Sequence, residues 1–187
     1  MNNPLKTDLF DEAAKFAIEA HHGTERRGKA YPYIIHPMEA VSIVATITND
    51  PEMLAAAILH DVVEDTEITI NQIREKFGDR VAMLVQHETA PLDETLSWKA
   101  KKTIQIEQLA HAPYDAKLVA LGDKLSNIRG IALDYHRYGE DTWSLFQAPN
   151  GKVDVEWYYR SIADALSELS ELEAYQHFVA MVDMVFG

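Results

Sequence analysis

Apolar residues recur at helical spacing along nearly all of this 187-residue chain, and no stretch alternates strongly enough to predict a sheet. Residues 8–22 illustrate the pattern, because their apolar side chains fall on one helix face: Leu9, Phe10, Ala13, Phe16, Ala17 and Ala20. The length is that of one ordinary domain, and 47% hydrophobic residues can supply its core. The sequence therefore predicts an all-α fold with a single domain over residues 1–187.

Capping residues predict where several helices begin and end. Asp50-Pro51 is typical of an N-cap followed by proline at the first helical position. Thr69-Ile-Asn-Gln72 has capping-box spacing for a short helix that Gly78 ends. The other predicted segments are a helix over 80–87 capped by Asp79, a loop over 91–95, helices over about 96–110 and from 113 through 133, a short helix around 141–146, and one helix or two over 155–186.

Charge and composition exclude several classes of function. A formal net charge of −13 would repel a phosphate backbone, so we predict no general nucleic-acid binding. The absence of cysteine excludes disulfides, thiolate nucleophiles and cysteine-ligated metals. No stretch approaches the roughly 18 apolar residues of a membrane span, and the N-terminus lacks a signal-peptide pattern. We expect a soluble, unprocessed, cytoplasmic protein with no membrane partner.

Four candidate metal ligands come from three separate segments. His60 and Asp61 directly end an apolar run, and His36 precedes Pro37, which suits the start of a helix. Asp123 interrupts an apolar segment, where an unpaired charge is costly. Each residue is ordinary by itself. Together, two imidazoles and two carboxylates suit manganese, iron or another octahedral divalent ion better than structural zinc.

Two further carboxylates, Glu64 and Asp65, follow the His-Asp pair closely. If this segment is helical, Asp61 lies i,i+3 from Glu64 and i,i+4 from Asp65, near a helix C-terminus. Each such like-charge pair costs roughly 0.2–0.5 kcal/mol, and a divalent cation beside the carboxylates would reverse the sign of that interaction. The alternative is that Glu64 and Asp65 belong to a solvated turn.

Several motifs, which occur in the same order along the chain, resemble those of the hydrolase domain of RelA/SpoT homologues. The whole chain is similar to the small alarmone hydrolases, and both groups are HD-domain phosphohydrolases. The ligand set follows the H...HD...D pattern, and the matching segments are Ala20-His-His-Gly23, Tyr31-Pro-Tyr-Ile-Ile-His-Pro37, Ile58-Leu-His-Asp-Val-Val-Glu-Asp-Thr66, Phe77-Gly78 and Leu121-Gly-Asp-Lys-Leu-Ser-Asn-Ile-Arg129. The resemblance implies one HD-type helical bundle of roughly eight to ten helices. It also implies that His36, His60, Asp61 and Asp123 hold one ion, Mn²⁺ in the family, while Glu64 and Asp65 position and deprotonate the attacking water.

The reaction that the resemblance implies removes pyrophosphate from the ribose 3′ position of ppGpp or pppGpp and leaves GDP or GTP. Substrate-binding residues carry over from the family pattern as Arg26, Arg27, Lys99, Lys102, Asn127 and Tyr158, with Lys101 and Tyr159 as alternatives for the lysine and the tyrosine. As a bare dipeptide, Arg26-Arg27 would more often be solvated. Asn127 would otherwise be a surface amide, and the tyrosines could be simple core packing.

Around the last ligand, Gly122, Lys124 and Ser126 depart from the family pattern, as does Thr24 in the loop that meets the base. Alternative functions are an HD-domain phosphohydrolase for an adenine alarmone or NADPH, a non-catalytic nucleotide sensor, and an interaction module with a structural HD pair. The presence of both Glu64 and Asp65 argues against a sensor, because a sensor needs no proton acceptor.

Overall fold

The computed structural model describes residues 8–89 and 95–187, and these form ten α-helices and two 3-10 helices. The α-helices are α1 (Asp8–Ala20), α2 (Ile35–Val44), α3 (Pro51–Leu59), α4 (Val62–Asp65), α5 (Ile70–Phe77), α6 (Asp79–Glu88), α7 (Trp98–Ala110), α8 (Tyr114–Tyr138), α9 (Lys152–Ala165) and α10 (Glu173–Phe186). Gly139–Leu145 and Ser167–Leu169 are 3-10 helices. Within the described ranges, extended pairing is limited to one bridge between Glu25 and Pro32, which confirms the all-α prediction.

Two helices begin where the sequence predicts. The Asp50 carboxylate accepts the backbone N–H groups of Glu52 at 2.9 Å and Met53 at 3.4 Å, with Pro51 in the first helical turn. Thr69 and Gln72 form the reciprocal capping box of α5.

Other boundaries differ from the predictions. Asp79 is the first residue of α6 instead of its cap, because Gly78, at φ 93°, occupies that position. Ser97 caps α7, so this helix starts at Trp98, two residues after the predicted start. The C-terminal segment, predicted as one helix or two, is two α-helices, α9 and α10, whereas the short helix predicted around 141–146 is a 3-10 helix over Gly139–Leu145. The predicted loop over 91–95 lies outside the described residues except for Thr95.

The chain turns between α3 and α4 at His60 and Asp61. Asp61 has φ −91° and ψ −6°, and its carbonyl still accepts the N–H of Asp65 at 2.9 Å. The segment is therefore two short helices joined at the two adjacent candidate ligands, instead of one continuous helix. Glu64 and Asp65 lie on α4, one turn beyond Asp61.

Helices α2 and α8 pack closely at Gly122. A Cβ atom at this position would lie 2.6 Å from Val44 Cγ2 and 2.9 Å from the carbonyl oxygen of Ala40. The absence of a side chain therefore sets the distance between α2, which carries His36, and α8, which carries Asp123. The buried apolar core surrounds this contact and includes Ile58, Leu59, Leu84, Leu121, Leu125, Ile128 and Phe178.

We expect Asp50→Ala to lower the free energy of unfolding by about 0.5–2 kcal/mol, the usual range for loss of an N-cap. Arg80 adds an ion pair to Asp50 at 2.8 Å. Partial burial opposes the Asp50 charge, but the Arg80 hydrogen bond and the helix N–H groups lower its pKa. This stabilisation is present above the unfolded-state pKa and is lost as pH falls through the folded-state pKa. Urea unfolding at neutral and acidic pH measures it, and Asp50→Asn, which retains an acceptor, is the control.

Candidate active site

Four side chains from three parts of the fold converge on one point. His36 Nε2 lies 3.0 Å from Asp123 Oδ1 and 3.4 Å from Asp61 Oδ2. His60 Nε2 lies 2.9 Å from Asp61 Oδ2 and 3.4 Å from Asp123 Oδ1, and the two Nε2 atoms are 3.3 Å apart. His36, His60 and Asp123 are buried, while Asp61 is partly exposed. The four residues therefore present two nitrogens and two oxygens to a common centre.

The hydrogen bonds at Nδ1 of His36 and His60 determine whether the two Nε2 atoms can bind a cation. His60 Nδ1 lies 2.9 Å from the carbonyl oxygen of Ala57, which can only accept, so Nδ1 carries a proton. His36 Nδ1 lies 2.8 Å from Ser126 Oγ, whose hydroxyl donates to Glu39 Oε2 at 2.9 Å. When both rings are neutral, their Nε2 lone pairs face each other between two carboxylates. That arrangement fits a divalent cation, with the four side chains as its ligands.

The electrostatics of the centre also favour positive charge. Burial opposes a charge on His60, yet the carboxylates of Asp61 and Asp123 raise its pKa well above the ordinary value. Burial likewise opposes ionisation of Asp61, but His60 and His36 hold its pKa well below the usual range. Burial also opposes ionisation of Asp123, but Lys124 and then the two histidines hold the pKa of Asp123 well below the usual range. Both carboxylates are therefore ionised at neutral pH, as ligands of a cation would need to be.

A cavity of about 590 Å³ opens onto this centre. His36, Asp61 and Asp123 form part of its wall, and the remaining lining comes from the 24–33 loop, α4, Glu88 at the end of α6, α7, α8, the segment 145–147 and α9. Such a volume is in the range of small-molecule and cofactor sites. The structure therefore joins a candidate metal centre to a space for a ligand.

The acidic pair of α4 lines the cavity next to the metal centre. Partial burial and the charge of Asp61 raise the pKa of Asp65, whereas the polar hydroxyl of Tyr33 nearby opposes this shift. A carboxylate with a raised pKa is a stronger proton acceptor, which suits a general base. The single hydroxyl proton of Tyr33 is donated to Asp61 Oδ2 at 2.7 Å, and this contact fixes the orientation of a candidate ligand carboxylate.

Five basic side chains line the cavity despite the acidic composition of the chain: Arg26, Arg27, Lys29, Lys102 and Lys124. Their hydrogen-bond and ion-pair partners differ. Lys29 pairs with Asp134, and Lys124 pairs with Asp123. Arg26 donates instead to the Asn127 amide at 2.5 Å, and Lys102 to the Gln105 amide at 2.7 Å. In both contacts the acceptor is a neutral amide, unlike the carboxylates that pair with Lys29 and Lys124.

The structure separates the two candidate lysines by position. Lys102 lines the cavity with its Nζ 4.7 Å from the Tyr158 ring centroid, whereas Lys99 is not part of the lining and lies over Trp157. Burial is the main reason that the pKa of Lys102 falls to about 8, and the nearby Lys124 charge adds to the effect. Arg27, Asn127, Tyr158 and the alternative Tyr159 all line the cavity, and Asn127 also donates to Asp123.

Several residues of this region are absent from the predicted site. Tyr33 belongs to the matching Tyr-Ile-Ile-His segment but has no predicted role. Ser126 and Lys124 enter the sequence analysis only as positions where the chain departs from the family pattern. Glu88 is 3.5 Å from Lys124, and burial raises the pKa of Glu88. No local sequence signal marks Glu88, because its contact depends on how α6 packs against α8.

Residues 13–149 match the HD-domain family, and this match covers most of the chain. The chain therefore belongs to the HD-domain family. This assignment implies a divalent metal, and the centre at His36, His60 and Asp61 is a candidate site for it. Among the described residues, no helix is long and apolar enough to cross a membrane.

Within this family the similarity is to alarmone hydrolases. The chain is 41% identical over 137 residues to human guanosine-3′,5′-bis(diphosphate) 3′-pyrophosphohydrolase MESH1, covering 71% of this chain and 73% of that protein. The solved structure of lmo0812 from Listeria monocytogenes matches at a TM-score of 0.72 with 30% identity, covering 81% of this chain and 98% of that one. A metazoan orthologue of SpoT, described as hydrolysing ppGpp, matches at a TM-score of 0.73 with 25% identity, covering 100% and 97%.

Proposed function

We propose that this protein is a metal-dependent 3′-pyrophosphohydrolase that converts ppGpp and pppGpp to GDP and GTP with release of pyrophosphate. The observation that carries the proposal is that His36, Asp61 and Asp123 line the same cavity as Glu64 and Asp65, while His60 Nε2 lies 2.9 Å from Asp61. An acceptor for the proton of water thereby lies beside the site where a cation would stabilise phosphoryl charge. The relatives named above favour a guanosine substrate over the adenine and nicotinamide alternatives.

In the proposed reaction, His36, His60, Asp61 and Asp123 hold one Mn²⁺ ion. When bound, the ion supplies Lewis acidity toward a phosphoryl oxygen and makes nearby water more acidic. Glu64 and Asp65 orient the water and accept its proton, and the raised pKa of Asp65 suits this acceptor role. The proton can then pass to the departing ribose 3′ oxygen.

The cations of the cavity would hold the substrate. Arg26 has a guanidinium that can stack on a purine and contact phosphate, and Arg27 lies beside it. Lys102 would attract the pyrophosphate, while Asn127 and Tyr158 would contact the sugar and phosphates. Lys99 lies over Trp157 outside the lining, so it would have to move to contact the substrate. These side chains supply local positive charge for a polyanion in a chain whose net charge is −13.

The direct test incubates purified protein with Mn²⁺ and ppGpp and resolves the products by anion-exchange chromatography. Stoichiometric GDP and pyrophosphate are expected. If the metal is bound and neither product forms, the proposal is wrong. Rates over a panel containing an adenine alarmone and NADPH compare the other phosphohydrolase hypotheses, and tight ppGpp binding without turnover would support a sensor.

We expect substrate affinity to weaken as pH rises through about 8, because Lys102 loses its proton there and with it the attraction for phosphate. Well below that pH the charge is fully present. KM measured at increasing pH should therefore rise in the wild type, and Lys102→Met should have a high KM that lacks this alkaline change. Lys99→Met is the matched control on the same helix. An equal effect of both variants would contradict the assignment of Lys102.

A further inference from the structure

The two candidate histidine ligands are oriented by different kinds of acceptor. The partner of His60 Nδ1 is the backbone carbonyl of Ala57, which cannot donate and therefore admits only the tautomer with a proton on Nδ1. The partner of His36 Nδ1 is the hydroxyl of Ser126, at 2.8 Å, and a hydroxyl can donate or accept. Ser126 alone therefore does not determine which nitrogen of His36 is protonated.

The ambiguity matters because the surroundings of His36 Nε2 favour the wrong tautomer. Asp123 Oδ1 lies 3.0 Å from this nitrogen and Asp61 Oδ2 lies 3.4 Å from it. A proton on Nε2 would make a good hydrogen bond to Asp123. That proton would also occupy the lone pair with which His36 would bind a cation.

Glu39 resolves the ambiguity. The Ser126 hydroxyl has one proton, and it donates this proton to Glu39 Oε2 at 2.9 Å. Ser126 Oγ can then only accept from His36, which leaves the proton on Nδ1 and the Nε2 lone pair free. Arg129 donates to the other oxygen of Glu39 at 3.2 Å, so the carboxylate is held on both sides.

The helix geometry keeps this chain of contacts in register. His36 and Glu39 are three residues apart on α2, and Ser126 and Arg129 are three residues apart on α8, so each pair lies on one helix face. His36 and Ser126 are buried, whereas Glu39 and Arg129 reach the half-exposed edge of the interface. Arg129 continues to His177 on α10 at 3.1 Å.

We propose that Ser126 and Glu39 are positioning residues that hold His36 in the tautomer able to bind the metal. This inference rests on the proposed metal site. Removing Glu39 frees the Ser126 hydroxyl to donate to Nδ1, and removing the hydroxyl leaves Nδ1–H without its acceptor. Either change moves the proton of His36 to Nε2. Loss of such an outer partner typically weakens metal affinity by about 10–100-fold.

The test measures tautomer and metal affinity separately in Glu39→Ala and Ser126→Ala. Imidazole ¹⁵N shifts of the metal-free protein in alkaline buffer should place the His36 proton on Nδ1 in the wild type and on Nε2 in both variants. Competition with a chelator should show Mn²⁺ binding weakened by about 10–100-fold in both. Ser42→Ala is the matched control, because this exposed serine on α2 donates to the backbone carbonyl of Glu39 and not to its carboxylate.

Failure of the positioning role of Glu39 and Ser126 and failure of the proposed metal site give different results. If the wild type binds Mn²⁺ and Glu39→Ala leaves both the tautomer and the affinity unchanged, Glu39 is merely a structural partner of Arg129 and the inference is wrong. A lower melting temperature without a tautomer change leads to the same conclusion. If the wild type binds no Mn²⁺, the proposed metal site itself is wrong.

Discussion

Asp61→Ala or Asp123→Ala is expected to abolish both metal retention and hydrolysis, whereas Glu64→Gln is expected to retain the metal and to slow the chemical step. Each aspartate places a carboxylate oxygen within 3.4 Å of both histidine Nε2 atoms, so its removal takes away one of the four proposed ligands. Glu64 lies on the cavity wall beyond this centre. Losing a general base typically reduces kcat by about 10²–10⁴-fold.

Bound metal is measured by elemental analysis after desalting, and kcat is measured from the release of GDP. Glu67→Gln is the matched control for Glu64→Gln, because Glu67 is an exposed acid three residues further on that does not line the cavity. Equal metal loss in the two aspartate variants and in Glu64→Gln would show that Glu64 is a ligand. Retention of metal by Asp123→Ala would remove Asp123 from the ligand set.

Gly122→Ala and Gly130→Ala, the same substitution on the same helix, are expected to change stability in opposite directions. At Gly122 the new methyl group would meet Val44 and the Ala40 carbonyl at 2.6 and 2.9 Å, so α2 must move away from α8. Overpacking of this kind costs about 1–3 kcal/mol, more than the gain of about 1 kcal/mol from better helix propensity. At Gly130 a Cβ meets nothing within 4 Å, so only the propensity gain remains.

Thermal unfolding distinguishes the two variants. Each 1 kcal/mol corresponds to roughly 2–4 °C for a chain of this size. Gly122→Ala should also weaken Mn²⁺ binding, because separating α2 from α8 separates His36 from Asp123. A melting temperature at or above the wild-type value for Gly122→Ala would show that the interface yields without cost.

Much of the fold follows from local sequence signals, because helix periodicity and capping act over a few residues. Asp50-Pro51 and the Thr69 capping box therefore predict their helix starts correctly. The turn at His60 and Asp61 has no such signal, since neither glycine nor proline occurs there and the apolar pattern continues into Val62 and Val63. In a straight helix, two consecutive side chains point about 100° apart, which would hinder both from reaching one centre. The turn allows the side chains of His60 and Asp61 to do so.

The site is less predictable than the fold wherever it depends on contacts between distant segments. Lys99 and Lys102 are one turn apart on α7, so the sequence assigns both to one side, and only packing against α9 determines which one lines the cavity. Ser126 and Glu39 are 87 positions apart, and neither matches a motif that would pair them. The roles assigned to the twelve predicted site residues remain predictions until they are tested.

The ligands of the candidate centre lie as far apart in sequence as His36 and Asp123, and they join α2 and α8 to the turn between α3 and α4. An ion bound there acts as a reversible cross-link that exists only in the folded chain. Its binding therefore adds to folding stability by mass action, about 2.7 kcal/mol when the free ion is at a hundred times its dissociation constant. Resistance to heat and to proteolysis would consequently increase with the concentration of the free ion. Metal starvation would therefore shorten the lifetime of the protein as well as stop catalysis.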